Sequence, residues 1–132
     1  MKATLYIKNK KGKGRGVFCN RSFLKYEIIE ECPLLIIPAD DYDRLAATKL
    51  VDYFFSFNKE ENTLALALGF GSMYNHAYLP NACYSIDTET KTITFYALDA
   101  IGRNEEICIN YSGKAGQDFK EWFTARNIEY CH

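Results

Sequence analysis

Two short segments, separated by about thirty residues, constrain this chain more than any other part of it. The later one is strand-like, opens on two glutamates and ends at Tyr111. A lone histidine on an irregular segment is usually structural, but this pairing of segments is much rarer by chance. The four marked positions of the earlier segment are Asn75, His76, Pro80 and Asn81.

The composition is that of one folded domain. The chain has 132 residues, 48% of them hydrophobic and 15% aromatic, so it can bury a sizeable core. With 16 basic and 17 acidic residues, the formal net charge is −1, and the basic run at residues 8–15 is typical of a solvated loop. No apolar run approaches the roughly 20 residues that span a bilayer. We therefore expect no direct nucleic-acid binding and no membrane partner.

The cysteines indicate a reducing environment. There are five, an odd number without C-x-x-C spacing, which argues against a disulfide framework and favours reduced, mostly buried thiols. Cys131 and His132 make a poor metal site without two further ligands, so no metal is expected. The apolar stretch at the start is too short for a signal peptide. These features predict a cytoplasmic protein, or one delivered to a reducing host compartment.

Alternating and apolar stretches predict many short strands. The stretch at residues 28–37, which Pro33 interrupts, is expected to form edge strands with a kink. A Gly-rich loop is predicted at residues 12–16, and a polar turn at residues 87–91 predicts a hairpin. The other predicted strands are residues 3–8, 17–19, 63–68, 83–87, 92–98 and 107–111.

Two helices are predicted. Asp40 and Asp41 supply a start signal, and apolar residues then recur at helical spacing as far as Phe54. A terminal helix is predicted over residues 118–128, with aromatic residues on one side. The pattern as a whole predicts a mainly β chain with one central and one terminal helix.

The turn Gly14-Arg15-Gly16 can approach a ligand closely, because glycine has no Cβ. Alone it is equally suited to a plain hairpin loop. A phosphate-binding loop is disfavoured, because no Gly-Lys-Ser/Thr pattern opens a helix here.

Taken in order, the glycine turn, the Asn-His segment and the strand before Tyr111 resemble the motifs of the SET-domain lysine methyltransferases. The matches run from Lys13 to Tyr111, about three quarters of the chain. Asn104 stands where the family usually has glycine, and both residues tolerate a left-handed turn. Ala77 and Tyr78 replace a common serine and cysteine at positions that do not normally carry chemistry. The chain is identified as a small, stand-alone member without cysteine-rich flanking segments.

The resemblance implies an α+β fold that is mainly β, with several small twisted sheets. The C-terminal segment would be threaded under a loop so that both motifs meet at one site, an unusual topology. We expect a single SET domain over residues 1–132, with a core at 1–112 and a helical segment at 113–132.

The same resemblance implies methyl transfer from S-adenosylmethionine to a lysine side-chain amine in a protein substrate. Tyr111 occupies the position of the family's catalytic tyrosine. Trp122 is the first candidate to close over the adenine and Phe123 the second. The expected cofactor-binding residues are Lys13, Gly14, Arg15, Gly16, Asn75, His76, Tyr111 and Trp122.

Such chemistry does not strictly require a side-chain base. Deprotonating a lysine of ordinary pKa near 10.4 at neutral pH costs about 4 kcal/mol. A sulfonium ~4 Å away repels the ammonium by about the same ~4 kcal/mol at an effective dielectric near 20. The chain has only two histidines, and we expect neither to act as the base.

Three positions leave the specificity open. Ile109 stands where many members have an aromatic residue that influences how many methyl groups are added. Cys32 falls near the position of a channel tyrosine in some relatives, and Tyr74 is one possible substitute. The target protein, the methylation state and the source of the chain stay open, as does a possible homodimer.

Two other functions fit parts of the sequence. One is a catalytically silent SET module that binds a protein partner; the retention of Asn75, His76 and Tyr111 argues against it. The other is a Cys-His hydrolase using Cys83 and His76, which lacks a supporting oxyanion or orienting motif.

Overall fold

The computed structural model describes residues 4–12, 14–58 and 60–112. Strands dominate this part of the chain, as predicted. They are β1 (Leu5–Lys10), β2 (Gly14–Cys19), β3 (Ile28–Ile37), β4 (Phe54–Asn58), β5 (Thr63–Ala67), β6 (Asn75–His76), β7 (Ala82–Asp87), β8 (Thr92–Ala97) and β9 (Glu106–Ile109).

The strands form two sheets. A four-stranded sheet has the order β1-β2-β9-β6, and a five-stranded sheet has the order β4-β5-β3-β8-β7. All pairings among them are antiparallel except that of β6 with β9, which is parallel. The predicted mainly β fold of several small sheets is confirmed.

The predicted hairpin of β7 and β8 forms because side chains and turn chemistry agree. On β8, Ile93, Phe95 and Ala97 are buried and alternate with half-buried residues, which is the period-2 pattern of a strand with one core face. At the turn, the Asp87 carboxylate accepts the backbone N–H groups of Glu89 and Thr90. Phe95 packs in the core shared with the other sheet.

The prediction of edge strands at residues 28–37 is wrong. β3 is one continuous strand in the middle of its sheet, with β8 on one side and β5 on the other. Pro33 is tolerated because the strand changes partner there: residues 28–33 pair with β8 and residues 34–37 with β5. Proline lacks only the donor, and its carbonyl accepts the N–H of Leu68 at 3.1 Å.

The central helix is much shorter than predicted. It is broken into a 3-10 helix (Ala39–Asp41), α1 (Tyr42–Ala46) and a second 3-10 helix (Lys49–Tyr53). Thr48 interrupts it, with extended backbone and a hydroxyl that donates to the Leu45 carbonyl at 2.7 Å. Phe54 already belongs to β4, because strand pairing with β5 outweighs its helical spacing.

Two further boundaries differ from the sequence prediction. The loop predicted at residues 12–16 is shorter, because Gly14 already pairs with Lys10 and begins β2. The last strand ends at Ile109, so Tyr111 lies just beyond it. The turn at Asn104 is confirmed, with φ +69°. The predicted helix at residues 118–128 lies outside the described residues.

Within the described ranges, no helix is long and apolar enough to cross a membrane. The same ranges hold no group of three or more His, Cys, Asp or Glu side chains placed to bind a metal ion. Among the described residues, four cysteines form no disulfide bond, and Cys19, Cys32 and Cys108 are buried.

Gly71→Ala should destabilise the fold. A Cβ at this buried position would lie 2.6 Å from the Ala67 Cβ and 3.0 Å from the Phe95 ring. We expect a loss of about 3 kcal/mol in the free energy of unfolding, measured in urea. Gly14→Ala is the control, since a Cβ there meets nothing within 4 Å and the positive φ alone costs about 1 kcal/mol. Equal losses in both variants would contradict the packing argument.

Candidate active site

The site is built around β9, which lies between β2 and β6. On one side Val17 pairs with Ile107, and on the other Asn75 pairs with Cys108. This arrangement brings the glycine turn, the Asn-His segment and Tyr111 together at the end of β9. The motifs that the sequence marks as distant therefore share one site.

Asn81 fastens the earlier segment to β9. Its side-chain oxygen accepts the N–H of Cys108 and its amide donates to the carbonyl of Glu106, both at 2.9 Å. The Ala77 N–H also donates to the Ile109 carbonyl at 2.9 Å. The Asn81 side chain thus makes two hydrogen bonds to β9 of the kind that a neighbouring strand would make. These bonds hold the Asn-His segment beside the strand that leads to Tyr111.

Asn75 connects the glycine turn to an acidic side chain. Its amide donates to the Arg15 carbonyl at 3.2 Å and to the Glu106 carboxylate at 2.7 Å. A Cβ on Gly16 would lie 2.3 Å from that carboxylate and 2.8 Å from the Asn75 amide. Gly16 is therefore required by close approach of these side chains.

Glu106 is a site residue that the sequence analysis did not single out. Its carboxylate is half-buried beside Gly16 and Asn75, which places an acidic side chain at the junction of β2, β6 and β9. The available signal was its place as the second of two acids opening an apolar strand next to Tyr111.

His76 orients Tyr111. The imidazole is 3% exposed, and its Nδ1 accepts the backbone N–H of Tyr111 at 3.0 Å. The two rings also pack, with centroids 5.1 Å apart. The family resemblance implies a cofactor contact for His76, whereas no sequence pattern indicates this hydrogen bond to Tyr111.

The hydroxyl of Tyr111 is held by backbone. It donates to the carbonyl of Tyr74 at 3.1 Å. Burial, and then the nearby charges of Cys108, Tyr53 and Glu106, raise the pKa of Tyr111 well above its ordinary value. The phenol therefore stays protonated at neutral pH and acts as a neutral hydrogen-bonding group.

The remaining predicted positions have different outcomes. Gly14 and Arg15 lie at the start of β2, both exposed, and Arg15 contributes its backbone carbonyl. Lys13, Trp122 and Phe123 lie outside the described residues. Ile109 is buried in the core.

The junction brings acidic and backbone acceptors together with a side-chain amide. Gly16 allows the close approach of the Glu106 carboxylate and the Asn75 amide, and the Arg15 carbonyl lies beside them. S-adenosylmethionine, with its sulfonium and ammonium groups, matches this donor and acceptor set. The residues that would hold it are Gly16, Asn75 and Glu106.

The structure thus shows a mainly β domain in which the parallel pair β6 and β9 lies beside a protonated tyrosine. The family model of the SET domain matches residues 14–112. The chain belongs to the SET domain family, which confirms the resemblance seen in its motifs.

Relatives support the same assignment. The H3 lysine-37 specific histone-lysine N-methyltransferase of Schizosaccharomyces pombe is 35% identical over 112 residues, which cover 84% of this chain and 75% of that protein. The crystal structure of a candidate histone methyltransferase from Plasmodium falciparum matches with a TM-score of 0.70 and 30% identity, covering 89% of this chain and all of that one. A Polycomb Repressive Complex 2 structure from Chaetomium thermophilum matches with a TM-score of 0.69. At 20% identity, over 86% of this chain and 15% of that one, it supports the fold alone.

Asn81→Ala should weaken the attachment of the Asn-His segment to β9. Removing the amide leaves the Cys108 N–H and the Glu106 carbonyl without their side-chain partner, which should cost about 2–3 kcal/mol in unfolding free energy. Urea denaturation measures this. Asn9→Ala, at an exposed position of β1, is the control and should change stability by less than about 0.5 kcal/mol. A loss no larger than that of the control would contradict the role given to Asn81.

Proposed function

We propose that this chain is an S-adenosylmethionine-dependent protein-lysine methyltransferase. One observation carries the proposal: a SET fold brings Gly16, Asn75 and Glu106 to the same strand end as a half-buried, protonated Tyr111. The relative that is 35% identical is named a histone-lysine methyltransferase, which supports a lysine in a protein as the acceptor. A histone tail is the first substrate to test.

The cofactor would lie against the junction of β2, β6 and β9. S-adenosylmethionine supplies an electrophilic methyl group on a sulfonium. The Glu106 carboxylate would attract the positive charges of the ligand, and Asn75 would keep that carboxylate in place through its 2.7 Å hydrogen bond. Gly16 would allow the backbone to approach the ligand closely.

Tyr111 would orient the acceptor amine. Its proton is engaged by the Tyr74 carbonyl, and its oxygen would accept a hydrogen bond from the lysine nitrogen. His76 is unsuited to act as a base at Nδ1, because that atom already accepts the Tyr111 N–H. The chain thus orients the amine and leaves its deprotonation to the electrostatics of the site.

Three aspects of this function go beyond the family. Free, mostly buried cysteines support action in a reducing compartment, in keeping with the predicted cytoplasmic location. A homodimer is proposed as a way to complete the substrate groove, and light scattering tests it. Binding of nucleic acid is not part of the proposal, given the net charge of −1.

Tyr111→Phe should strongly slow transfer while keeping cofactor affinity. We expect the rate of methyl transfer to histones to fall by about 100-fold or more, because amine orientation is lost. Calorimetric titration with S-adenosylhomocysteine should give a Kd within about threefold of the wild type, since 1.4 kcal/mol would be tenfold. Tyr26→Phe, on an exposed side chain, is the control. Wild-type protein that is folded yet binds no S-adenosylhomocysteine would reject the enzyme and favour a silent binding module.

Asn75→Ala should instead weaken the binding of the cofactor. Its amide links the Arg15 carbonyl and the Glu106 carboxylate, and its loss should raise the Kd for S-adenosylhomocysteine by about tenfold, or ~1.4 kcal/mol. Calorimetry measures the change, with Asn9→Ala as the matched control. An unchanged Kd would exclude Asn75 from the cofactor site.

A further inference from the structure

The carbonyl that holds the Tyr111 hydroxyl belongs to a residue whose own side chain is anchored elsewhere. Tyr74 lies directly before β6 and is 2% exposed. Its phenol reaches across to β3 and donates to the Glu30 carboxylate at 2.6 Å. Its ring packs against Phe95, with centroids 4.6 Å apart. Tyr74 is therefore fixed at both its ring and its hydroxyl.

The acceptor of this hydrogen bond lies on β3 beside a buried thiol. Cys32, two residues further along β3, is 1% exposed. Burial, followed by the negative charge of Glu30, raises the pKa of Cys32 to about 12. The same two causes raise the pKa of Tyr74 far above its ordinary value. Both groups therefore keep their protons at neutral pH, and the Tyr74 phenol remains the donor to the Glu30 carboxylate.

We infer that Glu30 and Tyr74 form a positioning pair, which sets the orientation of the Tyr111 hydroxyl through the Tyr74 carbonyl. The inference rests on the proposed function, since it assigns the pair to the residue that orients the amine. Neither residue touches the substrate in this scheme. The pair acts through the 3.1 Å hydrogen bond between the Tyr111 hydroxyl and the Tyr74 backbone.

Geometry makes the Tyr111 hydroxyl sensitive to this anchor. Hydrogen bonds weaken steeply with poor angles, and a displacement of about 1 Å at a reacting centre can cost roughly 100-fold in rate. A ring without its hydroxyl would still pack on Phe95 but would lose the directional tie to β3. Loss of the tie should thus affect orientation more than folding.

Tyr74→Phe tests the pair. We expect the kcat for methyl transfer to fall by about tenfold, with the KM for the lysine substrate and the Kd for S-adenosylhomocysteine within about twofold of the wild type. Tyr84→Phe is the matched control, since that ring also packs against Phe95, and it should keep full activity. Equal losses in both variants would overturn the inference.

A double-variant comparison separates positioning from general packing. In a Tyr111→Phe background there is no hydroxyl left to orient, so adding Tyr74→Phe should cause no further loss of residual transfer. A further loss equal to that in the wild-type background would overturn the inference.

A spectroscopic readout tests the pair without any turnover. In protein labelled with ¹³C at tyrosine Cζ, Tyr74→Phe should shift the Tyr111 resonance, which is assigned by its disappearance in Tyr111→Phe. Tyr84→Phe should not shift it. If transfer proves absent in the wild type, the proposed function fails while this measurement still tests the pair. An unchanged Tyr111 resonance would overturn the pair even in an active enzyme.

A second variant covers the case in which Tyr74→Phe does not fold. Glu30→Gln keeps an oxygen acceptor and removes the charge, so it should lower kcat by less than Tyr74→Phe and shift the same Tyr111 resonance. Glu31→Gln, its exposed neighbour, is the control. Full activity of Glu30→Gln together with an unshifted resonance would overturn the inference.

Discussion

The parallel pairing of β6 with β9 is the constraint on which the site depends. β6 has only two residues, too few to hold a register by ladder bonds alone. Asn81 supplies two more hydrogen bonds to the same strand, and Ala77 supplies a third. These contacts join distant parts of the chain. The position of Tyr111, just after β9, therefore depends on hydrogen bonds from the Asn-His segment to that strand.

The Glu106 carboxylate lies at the junction of three strands, β2, β6 and β9. Glu106 stands on β9, yet its carboxylate is in hydrogen-bond contact with Asn75 from β6 and in close approach to Gly16 from β2. A larger residue at position 16 would displace this carboxylate or the Asn75 amide. The glycine of the turn is therefore required for packing against these two side chains.

Tyr111 is fixed from two directions by residues with different tasks. His76 accepts its backbone N–H, and the Tyr74 carbonyl accepts its hydroxyl. The Glu30 carboxylate adds a tie from the five-stranded sheet through the Tyr74 phenol. Tyr74 thus links the two sheets beside Tyr111, and the Tyr111 hydroxyl is held in one orientation.

The sequence by itself determined the short alternating strands, the β7–β8 hairpin and the three motifs, because side-chain period and turn chemistry are local. The sequence pattern wrongly predicted edge strands around Pro33, because β3 pairs with β8 in the middle of the sheet. It also predicted too long a central helix, because Phe54 pairs with β5 as part of β4. Only the tertiary structure decided that Glu106 adjoins Gly16 and that Glu30 anchors Tyr74. Those contacts join residues far apart in the chain, and no local pattern records which distant side chains a fold will bring within hydrogen-bond distance.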